Sequence, residues 1–489
     1  MNRFLSSWRG MPPNAREPVT PGSADRFSRF LGFALLVIIG SALLTSVTLT
    51  PSKRNIEVLA AAIFMGIVLI AHPRKALYFT LLVLPFPART SVGTTSSLLI
   101  FALAALVLVK SKELRLPSAF QNVRVDTFLL GFMLIVFISL YQVPMEHMRL
   151  AIMKTIGMTS AIVLFYVIVM LIRTKRDLFN VINVVTIAAT SLYFIAFLQA
   201  LFPSKTILPA FFEFSQRVAD MEDIRAGTVR VFATFPGYEL FTEYLVITVF
   251  LHYLMLRRTV GINARLVRIS CMLLGLAVLF PTGTRAGVVI LVLGWLMLTV
   301  FASDIMPRRD LFQMVFLAFA LFYLSLPFFG DYYQLMIDRL LLLAEGQDDF
   351  TGRERVAQQA LQGIIDRPLL GHGFYEAPGR FRGWVSMHIH SLYLALGYKL
   401  GLPGLLAFLG FVGTILLDAF RTMRNRAVSR ELRLCLLFMV TIITLFLTDQ
   451  VKIEFIRDPL PMHTTFTFLA LAAAATRLAE REAQGESVS

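Results

Sequence analysis

Cysteine is nearly absent from this chain. The two that occur, Cys271 and Cys435, sit in or beside apolar runs, which argues against an external disulfide framework and a thiolate metal site. No HExxH string, Cys cluster or carboxylate array offers an alternative, so neither a metal nor any other cofactor is expected. Acidic residues are scarce too, 31 against 46 lysines and arginines, for a net charge of +15. The basic excess falls in small clusters between apolar runs, which points to membrane orientation and away from nucleic acid. No apolar h-region precedes Arg29, so the start resembles a cytoplasmic tail and not a cleavable signal. Short-period repeats, low-complexity tracts and heptads are absent, which excludes solenoids and coiled coils.

What the sequence has is apolar length. Hydrophobic residues fill 57% of 489 positions and charged ones 16%, too much apolar surface for one soluble core. The runs are long, unlike the short alternating strands of a barrel, and predict an all-α, polytopic integral membrane protein. Spans are expected near 30–48, 57–72, 76–88, 96–110, 126–143, 155–173, 178–202, 237–256, 266–281, 285–302, 310–329, 391–417, 431–449 and 461–477, about 12 to 14 in all. Pro85 and Pro87 crowd the third, and the last is short for a full crossing. Lys and Arg concentrate in alternate short connections, such as Arg74 with Lys75, Arg173 with Lys175 and Arg176, and the arginines of 421–433, which assigns those connections to the cytoplasm. The expected order is a tail (1–29), a transmembrane bundle (30–202), an outer loop (203–236), central spans (237–329), a large outer loop (330–390), final spans (391–477) and a second cytoplasmic tail (478–489).

The stretch 351–404 is the most informative. Thr351 three residues before Glu354 reads as a capping box, and Val356, Ala360, Leu361, Ile364 and Ile365 follow at helical spacing. A short amphipathic helix is predicted, stopping near Asp366 because Pro368 disfavours helical geometry before it. Gly371 and Gly373 should form a tight turn, and Trp384, His388 and His390 precede the next apolar run. Either a site or an interfacial helix with aromatic and His anchors fits this pattern.

Three features share the outer face: Arg285 in the break PTGTRAG (281–287), Arg353 with Arg355 on the amphipathic helix, and His388 with His390. Guanidinium groups present a planar fork of donors suited to a diphosphate, and histidine can take a proton from a hydroxyl. The combination suggests group transfer from a lipid-linked phosphate; the competing reading of Arg285 is a snorkelling anchor at a helix end. Spacing puts His388 and His390 on different faces, unlike an adjacent pair of metal ligands. Glu239 and Glu243, at i and i+4 on one face, are candidates to hold an arginine or position an acceptor, the competing reading being two acids at the wet end of a helix. Arg217, Arg225 and Arg230 precede them, and the mixed-charge loop 449–462 is placed to close over the same face.

These residues resemble the O-antigen ligase and polysaccharide polymerase family of bacterial membrane glycosyltransferases. The resemblance covers about 230–404 and rests on RVFATF with PGYEL, TGTRAG in place of T-G-S-R-G-A, GRERVAQQALQGIIDRPLLGHG, and HIHSLYLALGYKLGLPG. The last matches an H-N-x-Y-L run at His390, Tyr393 and Leu394 with later glycines at Gly401 and Gly404. Ser391 stands where Asn is usual and Lys399 where Glu is common.

The resemblance implies a metal-independent, inverting transferase of the GT-C type in the bacterial inner membrane, with its active site facing the periplasm. Its donor would be a glycan on undecaprenyl diphosphate and its acceptor a sugar hydroxyl. Arg285 and Arg353 would engage the diphosphate and His390 would be the base, with Arg230, Arg355, His388, Tyr393, Glu239 and Glu243 around the substrates. The first expectation is a polymerase of repeat units for a surface polysaccharide or exopolysaccharide, with a chain-length regulator as a candidate partner. The alternative is a ligase that moves O-antigen to lipid A core in lipopolysaccharide synthesis, or a glycan to protein. A flippase for lipid-linked oligosaccharide is the reading from another class; it predicts paired broken helices in two related halves, and no duplication is visible.

Overall fold

The computed structural model describes residues 72–87, 89–90, 93–109, 122–202, 222–223, 228–301, 350–375 and 389–488, with Ile305, Tyr323, Gly330, Gln334 and Ile337 as isolated positions. All lie in the second of two compact units, Ala60–Ser489. The expected spans 30–48, 57–72 and 310–329 fall outside these residues except for His72 and Tyr323, as does His388.

Among the described residues the regular structure is helical apart from two hairpins of two-residue strands. Helices α1 (Pro73–Val83) and α2 (Thr95–Val109) flank the hairpin β1 (Arg89–Thr90) and β2 (Gly93–Thr94), in register Arg89↔Thr94. Then come α3 (Val123–Ser139), α4 (Met148–Leu171) and α5 (Lys175–Leu201). The second hairpin, β3 (Glu222–Asp223) with β4 (Thr228–Val229), leads into α6 (Tyr238–Arg258), α7 (Ile262–Leu279) and α8 (Arg285–Phe301). The amphipathic α9 (Phe350–Asp366) precedes α10 (Leu392–Arg424), α11 (Arg430–Asp449) and α12 (Pro459–Ala483). Seven helices among the described residues are long and apolar enough to cross a membrane. A polytopic membrane protein follows.

Helix α12 packs against α4, α10 and α11, and α6 is buried from Leu240 to Met255. The polar residues that lower the hydropathy of α12 therefore face protein. His463 is fully buried, with its Nε2 2.7 Å from the Ser160 hydroxyl, which also donates to Ser97. Such hydrogen bonds between helices replace partners that lipid cannot provide.

Helix α9 ends at Asp366, where Pro368 predicts its stop, but two expectations need correction. Thr351 already lies inside α9, one residue after its start, so it is not the N-cap. Val356, Ala360 and Ile364 face inward, whereas Leu361 and Ile365 are 52% and 63% exposed. The apolar residues span more than one face, and the protein-facing part centres on Gly363, which sits against the Tyr398 ring.

The turn after α9 locks into a break in α10. Pro403 has no N–H, so the Lys399 carbonyl lacks its usual helical donor. Gly401 takes a left-handed φ of 72°, and the chain exchanges bonds instead: His372 N–H donates to Tyr398 O, Gly373 N–H to Lys399 O, and Leu402 N–H to Pro368 O. A Cβ at Gly401 would stand 2.5 Å from Leu369 O, and one at Gly371 2.6 Å from Lys399 O. Only glycine fits that approach.

Candidate functional site

Four segments distant in sequence meet where α6, α8 and α10 begin and α11 ends. The segment RVFATF enters first. Ala233 has a φ of 49°, the one positive value outside glycine among the described residues, and Gln199 pins it by accepting from its N–H at 2.9 Å. Val231 N–H then donates to Pro281 O, tying this segment to PTGTRAG. That tie sets Arg230 at 9% exposure, its guanidinium 4.3 Å from the centre of the Tyr238 ring. Its side chain also runs along Gly283, where a Cβ would lie 3.3 Å from Arg230 Nε. Gly283 adopts φ 62° and closes the turn that delivers Arg285 as the first residue of α8, half-buried. The N-terminus of a helix is a favourable place for an anion, and a guanidinium there adds full charge.

Helices α6 and α8 are joined beside Arg285 by Thr242 and Thr284, whose hydroxyls are 2.9 Å apart. One residue further along α6, Glu243 is buried and accepts from Gln450 Nε2 at 2.8 Å. Gln450 also accepts from Phe455 N–H at its Oε1 and from Leu392 N–H at its backbone carbonyl. Leu392 lies two residues after His390, which is half-buried at the mouth of α10. Through these bonds α6 and Gln450 tie the segment carrying Arg285 to the segment carrying His390. The carboxylate of Asp449, 2% exposed, lies 2.9 Å from Lys452 Nζ and within electrostatic range of half-buried Glu239. Tyr393 donates its hydroxyl to Leu447 O at 2.6 Å, which fastens α10 to α11.

The remaining predicted residues are placed differently. The backbone of Arg353 lies on the first turn of α9, and Arg355 on the same helix is exposed. The far end of α9 is docked on α10: the His372 ring stacks on Tyr398 with centroids 4.3 Å apart, and His372 Nε2 is 3.1 Å from Gly363 O. Arg217 and Arg225 lie outside the described residues. Among the described residues no group of three His, Cys, Asp or Glu side chains is arranged to hold a metal ion.

Sequence reasoning missed Gln450 and Asp449 as individual residues. The loop 449–462 signalled itself only by mixed charge, and nothing in the sequence marks an amide as the link between three segments. It also left Lys399 unexplained. In the structure Lys399 is buried and forms an ion pair with Glu454, Nζ to Oε2 2.9 Å, which supplies the opposite charge on the facing loop.

Comparison with known proteins bears on the same segments. No curated protein matches the chain. The family model described as O-antigen ligase matches residues 270–409, from α7 through α8 and α9 to just past the break in α10. That match covers the segments that carry Arg285 and His390 and supports assignment of this region to the O-antigen ligase and polymerase family of membrane glycan-processing proteins.

Proposed function

We propose that the protein is a glycosyltransferase that polymerises undecaprenyl-diphosphate-linked repeat units of a surface polysaccharide or exopolysaccharide at the periplasmic face of the inner membrane. The observation that carries this reading is the convergence of Arg230, Arg285 and the His390 segment at one end of the bundle, joined through Thr242–Thr284 and Glu243–Gln450. Fixed cations beside a histidine match the needs of transfer from a diphosphate. The acceptor hydroxyl attacks the anomeric carbon and its proton passes to His390. The bond from that carbon to the diphosphate oxygen breaks with inversion, and the leaving diphosphate keeps the electron pair. Arg285, Arg230 and Arg353 stabilise the charge that gathers on it. A diphosphate is already a good leaving group, so this set needs no nucleotide loop. Glu239 and Asp449 then serve to orient the sugar hydroxyls or the arginines.

A second reading is favoured by the family description itself, that of a ligase handing finished glycan to lipid A core or to protein. Donor chemistry is shared and the acceptor differs. The surface glycan of a deletion strain, resolved by size beside strains complemented with wild type, Arg285→Ala or His390→Ala, separates the two. Loss of long chains with single repeats still at the surface supports the polymerase. Long chains stranded on undecaprenyl diphosphate support the ligase. Repeat units confined to the cytoplasm, or full activity of both variants, would sink the transferase reading.

A further inference from the structure

A cavity lined by charged and apolar residues lies toward the other end of α10, away from the cluster around Arg285. It has a volume of about 300 Å³ and is bounded by the start of α3 and the ends of α4, α10 and α12. Helical rise puts its wall at Asp418 about 40 Å along α10 from His390. Three carboxylates line it, Asp126, Asp418 and Glu480, with the guanidinium groups of Arg124 and Arg477.

The charges are unevenly engaged. Arg477 donates to the carbonyls of Val169 and Ile172 and so caps the end of α4. Asp418 Oδ2 accepts from Asn122 Nδ2 at 3.1 Å. Asp126 is 8% exposed, and Tyr166 donates to its Oδ1 at 3.0 Å, while its buried Oδ2 has no hydrogen-bond partner. Position in the first turn of α3 favours a carboxylate through the helix dipole, with the Asn122 backbone close to the Asp126 carboxyl. A buried carboxylate oxygen without a donor is costly. One water, about 30 Å³ of liquid, fills a tenth of the space, whereas the volume sits at the lower end of small-molecule sites.

We propose that this cavity binds a primary ammonium group, carried by the headgroup of an aminophospholipid such as phosphatidylethanolamine. An ammonium has three donors and no acceptor, which suits Asp126 Oδ2 together with Asp418 and Glu480. The cavity opens among the ends of helices long enough to cross a bilayer, which is where lipid headgroups meet such helices, and Arg124 two residues before Asp126 supplies a cation for the phosphate. The inference stands apart from the reaction assigned to the opposite end.

The full-length protein, purified and exchanged into nanodiscs of phosphatidylethanolamine or phosphatidylglycerol, is released into detergent and its retained lipid is counted by native mass spectrometry. Wild type should retain phosphatidylethanolamine at least about tenfold over phosphatidylglycerol, and Asp126→Asn should lose about tenfold, the effect of one charge-assisted hydrogen bond. Glu480→Gln, at an exposed position, should lose a smaller share without affecting folding, and it decides the matter should Asp126→Asn fail to fold. Free ethanolamine that displaces the lipid and raises the melting temperature of wild type alone keeps the ammonium site and reassigns its source to a solute. Equal retention of both lipids without any response to ethanolamine, or unchanged retention in both variants, overturns the proposal.

Discussion

Gln450 carries more of the candidate site than any charged residue does. Its side-chain amide donates to Glu243 and accepts from Phe455 N–H, while its carbonyl takes the first helical N–H after His390. Leucine at this position fills similar space and offers neither contact, which leaves the Glu243 carboxylate buried without its donor. Gln450→Leu should cost about 1–3 kcal/mol, the range for leaving a buried polar group without its partner, read as a fall in melting temperature in detergent. Transfer by the folded fraction should drop at least tenfold, because the same change releases Glu243 and the Phe455 backbone from the loop that follows α11. Stability loss without any loss of specific activity would remove Gln450 from the site. The charged residues were readable in advance because a guanidinium or imidazole at a helix end is conspicuous in an apolar sequence. A glutamine that links three segments is not, since Glu243 and Leu392 are distant in the chain and two of its bonds are to backbone N–H groups.

At the level of elements, the lock between α9 and α10 concentrates the fold's least replaceable backbone. Gly401→Ala must place a Cβ 2.5 Å from Leu369 O at a φ of 72°, so the turn after α9 has to separate from α10. Strain of this kind costs on the order of 1–3 kcal/mol, and limited proteolysis should show cleavage of the 367–375 turn in the variant before the wild type. The ion pair beside it makes a reciprocal test. Lys399→Glu sets two buried carboxylates against each other and should cost about 3–5 kcal/mol, whereas adding Glu454→Lys restores the pair and most of the melting temperature. No recovery in the double variant would mean that Lys399 is held by something other than its partner's charge. Both devices were half visible in the sequence. Pro368 and Pro403 announce where helices stop or lose a bond, and Gly371 and Gly373 announce a turn. That the freed carbonyls of one helix are met by the N–H groups of the other is a tertiary fact. The exposure of Leu361 and Ile365 is a similar case, because periodicity finds apolar faces but does not tell protein from lipid.

For the whole molecule, the membrane class follows from composition alone, and the helices fall where hydropathy rises. The hairpins and the buried course of α12 do not, because two-residue strands leave no period and the threonines of α12 read as weak hydropathy when they are interhelical contacts. Sidedness is the property that connects both ends of α10 to function. If the basic connections are cytoplasmic, Gln358 on α9 and Asn425 just past α10 lie on opposite sides of the membrane, both exposed. Cys435 is buried and Cys271 half-buried, so a Cys271→Ser background leaves little reactive thiol. In cells with a permeabilised outer membrane, Gln358→Cys should react almost fully with an impermeant maleimide and Asn425→Cys only after lysis. The reverse pattern would put the Arg285 and His390 end in the cytoplasm and remove a periplasmic glycan donor from consideration. Labelling of both positions from one side would deny that α10 crosses the membrane, and the separation between the candidate site and the ammonium cavity would fall with it.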